Sequence, residues 1–150
     1  MTNPLLCTWE TPFGIAPFDL ISDDDFAPAL DTALASHMAE IDAIASATDA
    51  PDFANTVEAL EAAGYGLEKV LGPFFTMAGA DSNPKREELQ RDFSPKLAAH
   101  FSEISANKAL FARVAAVWDQ RDSLDLTDEQ ARVLMLTHRN FVRAGAALEG

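Results

Sequence analysis

Between Phe53 and Ala80 the apolar residues Val57, Leu60, Leu67, Val70, Leu71, Phe74, Phe75 and Ala78 recur at helical spacing for longer than anywhere else in the chain. That spacing lines them along one side of a helix, and such a stripe needs partners that bury it. The remaining sequence supplies them as further amphipathic segments and shows no period-2 strand pattern and no internal repeat. The expectation is an all-α bundle of about five helices packed around this central element.

Residues 1–21, MTNPLLCTWETPFGIAPFDLI, cannot continue a helix, because Pro4, Pro12, Pro17 and Gly14 interrupt it. Trp9, Phe13, Phe18 and the aliphatics Leu5, Leu6, Ile15, Leu20 and Ile21 make the segment too apolar for a solvated tail. It is expected to be an extended arm docked on a helical body of residues 22–150, the whole forming one domain of 150 residues.

Helix boundaries follow from capping chemistry. Ser22 is placed to cap the first helix, with Asp23, Asp24 and Asp25 where first-turn N–H groups favour negative charge. Consecutive residues point in different directions on a helix, so this Asp run reads as capping rather than as a metal cluster. Pro28 should leave a short turn before Leu30, Leu34, Met38, Ile41 and Ile44 continue to about Thr48. Ser82 or Asn83 caps the segment that begins at Pro84, and Leu89, Phe93, Leu97, Phe101 and Ile104 hold one stripe across Pro95, which implies a kink rather than a break. Asn107 caps a helix faced by Ala109, Leu110, Val114, Val117 and Trp118. Thr127 and Gln130 form a capping box before Val133, Leu134, Leu136 and Phe141, with Gly145 as the stop.

Charge is divided unevenly. Thirteen acidic residues and no Lys or Arg lie between Met1 and Glu68, whereas eleven of each sign follow. A half without cations does not bind a phosphate backbone, so nucleic acid is not an expected partner. The acidic half reads either as a solvated surface or as a preference for basic peptides and basic protein surfaces. The N-terminus lacks the basic region of a signal peptide, and no apolar run approaches the roughly 18 residues of a membrane span. With the single Cys7 this gives a cytoplasmic expectation without a membrane.

Candidate chemistry is sparse. His37 with Glu40, and His100 with Glu103, stand three apart and should share helix faces, so a metal between two helices is conceivable. Carboxylate-bridged metal bundles use the opposite order, Glu-x-x-His, together with further inward carboxylates. His138 has no acidic residue at helical spacing and reads as surface or packing, and Phe74, Phe75 and Trp118 as core. None of the three histidines is followed by Glu, and no H-E-x-x-H, phosphate loop or nucleophile elbow occurs. No catalytic, cofactor-binding or metal-binding residue is assigned.

The arm WETPFGIAPFDLI of Trp9 to Ile21 and the following DDDFAPALDTALASHMAEIDAI resemble the N-terminal region of the thimet oligopeptidase, peptidyl-dipeptidase and oligopeptidase A family of zinc metallopeptidases. FANTVEALEAAG of Phe53 to Gly64, SPKLAAHFSEI of Ser94 to Ile104 with the nearby ALFARV, and THRNFVRAGAAL of Thr137 to Leu148 agree in the same order. The resemblance implies a mainly helical enzyme with a deep substrate channel, this region forming wall and rim away from the zinc. In that family two His of an H-E-x-x-H motif and a later Glu bind zinc, and the motif Glu activates water. No such motif stands in this chain, so the implied roles are those of an accessory domain: no zinc of its own, the catalytic body of the same polypeptide as partner, and short peptides as substrates of the whole. A stand-alone helical interaction module is the alternative, and exposed apolar area separates the two, since part of a larger enzyme exposes what its body covers.

Overall fold

The computed structural model describes residues 2–146, and the all-α expectation is met: no strand occurs among them. Five helices of three or more turns are present, α1 (Asp23–Ala45), α3 (Tyr65–Ala80), α4 (Pro84–Ser105), α5 (Lys108–Asp119) and α6 (Asp128–Arg143), with a single turn, α2 (Ala59–Ala62). The chain divides into two compact units, Met1–His37 with Gly64–Ala98 and Met38–Ala63 with Ala99–Gly150. Ala147 and Leu148, which end the THRNFVRAGAAL stretch, lie outside the described residues.

The first unit is built on Phe74 of α3. Its ring meets Phe26 of α1 edge-on at 5.1 Å and Phe93 of α4 at 4.7 Å. Leu5, Leu30, Leu67, Val70 and Leu89 close the remaining space. Burial of one such ring contributes roughly 2–3 kcal/mol. The arm contains two short 3-10 turns, Pro4–Leu6 and Pro12–Gly14, and joins this core through Leu5 of the first, which is fully buried.

In the second unit one cluster gathers Ile41, Ile44, Leu110, Val114 and Phe141, and another gathers Val57, Val117 and Leu134. A buried arginine of α5, Arg113, fastens the connection after α1. Its guanidinium donates to the carbonyls of Ala47 at 2.8 Å and Asp49 at 3.0 Å, and to Asn55 Oδ1 at 3.0 Å. Asn55 is itself fixed by a capping box, its N–H donating to Asp52 Oδ1 and the Asp52 N–H to Asn55 Oδ1.

Capping chemistry placed most boundaries correctly. Asn83 accepts from the Arg86 N–H, Asn107 from the Leu110 N–H, and Thr127 and Gln130 satisfy each other's backbone N–H groups. Gly145 stands at φ +91 two residues beyond the end of α6. At Ser22 the exchange runs the other way, since Asp25 accepts from both the Ser22 N–H and its hydroxyl.

Three expectations are corrected. The stretch Phe53–Ala80 is not one helix: a π-helical turn, Phe53–Glu58, leads into α2, Ala63 turns extended, and Gly64 at φ +83 restarts the chain as α3. Pro28 does not interrupt α1, because the carbonyl it leaves unpaired, that of Asp24, is on an exposed residue that water can reach. Phe75 and Phe101 are about half exposed rather than core. A strict four-residue step advances about 40° per repeat around a helix, so Phe101 has rotated off the face begun by Leu89, and His100 is the buried residue there.

Gly64 is the backbone position with least freedom to change. A Cβ there would lie 3.0 Å from the buried His37 ring in a left-handed conformation, whereas Gly14, at φ +66, has nothing within 4 Å. Gly64→Ala is expected to destabilise by roughly 2 kcal/mol or more and Gly14→Ala by about 1 kcal/mol, measured by urea unfolding. Equal losses would mean that the His37 contact is not restrictive.

Candidate functional site

The arm carries the most site-like surface. Trp9 is half-buried, its Nε1–H donates to the Pro4 carbonyl at 2.9 Å, and Lys69 Nζ of α3 lies 4.6 Å from the centre of its ring. The same ammonium donates to the Cys7 carbonyl at 2.5 Å. Trp9 divides two hollows. One of about 340 Å³ is lined by Trp9, Ile15, Phe18, Tyr65, Glu68 and Lys69 among others. The second, of about 410 Å³, lies among Trp9, Glu10, Pro17 and Leu20. Both are open, apolar and shallow, suited to side chains of another protein segment rather than to an enclosed small molecule.

Around these hollows the apolar side chains point outward. Tyr65 is 72% exposed, Leu20 65% and Ile15 56%. Phe13, expected as an anchor of the arm, is 99% exposed at the tip of its turn, and its backbone stands at φ +61. A bulky residue in that left-handed conformation carries strain of order 1 kcal/mol. Trp9, expected as an anchor with Phe13, does hold the arm, together with Leu5.

A second polar centre joins α1 to α4 within the first unit. Arg86, 9% exposed, donates through Nε to Asp23 Oδ1 at 2.7 Å and through a terminal nitrogen to the Asp81 carbonyl. Asn83 donates to the other Asp23 oxygen at 2.8 Å. Burial raises the Asp23 pKa, but the hydrogen bonds from Asn83 and Arg86, with the charges of Arg86 and Lys85, outweigh it and hold the carboxyl below its ordinary value of 3.8. Both faces of this arrangement are satisfied, so it acts structurally.

In the second unit His138 lies between aromatic rings. It stacks on Trp118 at 4.8 Å and 6°, and Phe111, about two turns earlier on α5, lies 5.8 Å away. Arg121 covers Trp118 at 4.3 Å. Burial lowers the His138 pKa, with Asp119 opposing and Arg121 reinforcing the shift. Of the two readings its sequence context left open, surface or packing, His138 takes the packing one.

Each His/Glu pair lies within one continuous helix, α1 or α4, so its members are neighbours on the helix surface as their spacing suggested. His37 and His100 are buried while Glu40 and Glu103 are exposed, so each pair straddles the boundary of the buried face. Burial lowers the His100 pKa and Glu103 partly offsets this. No group of three His, Cys, Asp or Glu side chains able to hold a metal occurs among the described residues. No chemical step is assigned to these side chains. No helix among the described residues is long and apolar enough to cross a membrane. Lys69, Arg86 and Arg113 escaped the sequence reading because their partners lie about sixty residues away; the only local signal was that each cation sits beside apolar residues on a buried helix face.

With this geometry in hand, similarity to known proteins is informative. No family model matches the chain. Over 147 residues, 98% of its length, it is 45% identical to a dipeptidyl carboxypeptidase of Salmonella typhimurium strain LT2. Over 146 residues, 97% of its length, it is 41% identical to a dipeptidyl carboxypeptidase of Escherichia coli strain K12. The similarity thus runs through both compact units. The chain spans 22% and 21% of the length of these two relatives, about a fifth of each.

The titrating groups give a pH signature. Asp23 contributes stability that is present above 3.8 and is lost as pH falls through its depressed folded value. His100 and His138, also depressed, contribute stability that is present above 6.5 and is lost as pH falls below it. Urea unfolding between pH 7.5 and 3 should show two descending steps. The double variant His100→Gln/His138→Gln should flatten the upper step, and Asp23→Asn, about 1.5–3 kcal/mol less stable at neutral pH, should flatten the lower. Unchanged slopes would contradict these assignments.

Proposed function

We propose that the chain forms the N-terminal helical part of a cytoplasmic zinc metallopeptidase that releases dipeptides from short peptides. The observation that carries this reading is the 45% identity to a dipeptidyl carboxypeptidase sustained over 98% of the chain. Identity at that level, spread across all the helices, is more than a shared all-α architecture requires. The relatives' name favours dipeptide release over internal cleavage.

Zinc and the water-activating Glu would come from elsewhere in the longer polypeptide, since the sequence has no H-E-x-x-H motif and no three-ligand group occurs among the described residues. This segment would then act by shape: it forms part of the wall of a substrate channel, limits which peptides reach the zinc, and has the catalytic body of the same polypeptide as its partner. Exclusion of folded proteins by such a wall is a steric effect and needs no reactive side chain. The acidic half would add an electrostatic bias toward peptides with basic residues.

The test is to express the reading frame that contains this chain, extended to its natural end, beside the 150-residue chain alone. The longer protein should release dipeptides in a zinc-dependent manner, with activity lost on chelation and restored by zinc, and the 150-residue chain should bind no stoichiometric zinc and cleave nothing. Hydrolysis by the 150-residue chain, or a frame that closes near Gly150, would overturn the reading and favour a free-standing interaction module.

A further inference from the structure

We infer that the face of the arm around Trp9 is a docking surface for a basic, amphipathic helical segment of protein, supplied by the remainder of the longer polypeptide. This rests on the reading above for the source of the segment, but the chemistry of the surface is on the molecule itself. Ile15, Phe18 and Tyr65 rim one hollow and Leu20 the other, all of them exposed, and they lie within one compact unit.

The charge around these side chains selects the occupant. Glu10, Asp19 and Glu68 are exposed at or beside the hollows. Among the described residues the one cation lining them, Lys69, is already engaged by the Trp9 ring and the Cys7 carbonyl. An apolar floor with an anionic rim complements side chains that combine aliphatic bulk with Lys or Arg. A second copy of the same face would bring these carboxylates against one another, and an anionic lipid surface would be repelled.

Phe13 adds an independent indication. Its ring is almost wholly exposed on a left-handed backbone, two unfavourable features in one residue. Strain held at an exposed aromatic is accounted for when the ring enters a complementary pocket on a partner.

The test uses fluorescein-labelled 18-residue helical peptides and the 150-residue chain, read by fluorescence anisotropy at physiological salt. A Leu/Lys amphipathic peptide should bind at least tenfold more tightly than a Leu/Glu peptide of the same pattern or a Lys/Ser peptide of the same charge. The variant Ile15→Ser/Phe18→Ser/Tyr65→Ser, which alters only exposed side chains, should lose that binding at least tenfold with its thermal midpoint retained. Glu10→Gln/Glu68→Gln should weaken it several-fold without touching the apolar floor. Binding indifferent to both variants, a preference for the Leu/Glu or Lys/Ser peptide, or self-association of the chain through this face would each overturn the inference. Dipeptide release by the longer polypeptide is a separate measurement, so failure of the reading and failure of the docking surface are distinguishable.

Discussion

The ammonium of Lys69 is the contact on which the first unit depends. It lies against the Trp9 ring and donates to the Cys7 carbonyl, so one side chain of α3 fixes both the aromatic anchor and the backbone of the arm. A cation over an indole contributes roughly 0.5–2 kcal/mol and a charged hydrogen bond about 1.5–3 kcal/mol. Those gains hold Leu5 in the core beside Phe26 and Phe74. They also place Ile15, Phe18 and Tyr65 around one hollow, so the exposed apolar face follows from the same contact.

The pattern recurs. Arg86 ties the start of α1 to α4 through Asp23 and the Asp81 carbonyl, and Arg113 ties the connection after α1 to α5 through the carbonyls of Ala47 and Asp49. Lys96 meets Asp31 at 2.6 Å on the surface of the first unit. Each cation belongs to the later part of the chain and, the Asp81 carbonyl apart, each partner to the earlier part. The uneven charge distribution of the sequence is therefore partly an instruction for pairing, with cations of the second half reaching acidic groups and loop carbonyls. Acidic groups left over, among them Glu10, Asp19, Glu40, Asp42 and Glu68, are solvent-exposed.

Much of the architecture was legible because its causes are local. A cap needs an acceptor at one position and an N–H three residues on, and Asn83, Asn107 and Thr127 with Gln130 satisfy that within four residues of sequence. Buried stripes were legible at Leu67, Val70 and Phe74 for the same reason. What was missed depends on distant atoms. The break at Gly64 is set by the His37 ring, twenty-seven residues earlier, which leaves no room for a Cβ. Phe75 and Phe101 were read inward because periodicity records apolarity and not where the edge of the buried face falls. The His/Glu pairs have helical spacing, yet the edge of the buried face passes between their members, which spacing alone does not specify.

These observations converge on a helical segment whose interior is complete and whose arm presents unfinished apolar surface. The claim beneath them is that Lys69 holds the arm in place. Hydrogen exchange in Lys69→Met, which keeps most of the aliphatic stem and removes the charge, tests it most directly. The amides of Leu5 and Leu6, now bonded to the Asn3 side chain and carbonyl, should exchange at least tenfold faster while those within α5 and α6 keep their protection. Unchanged protection at Leu5 and Leu6 would contradict the account.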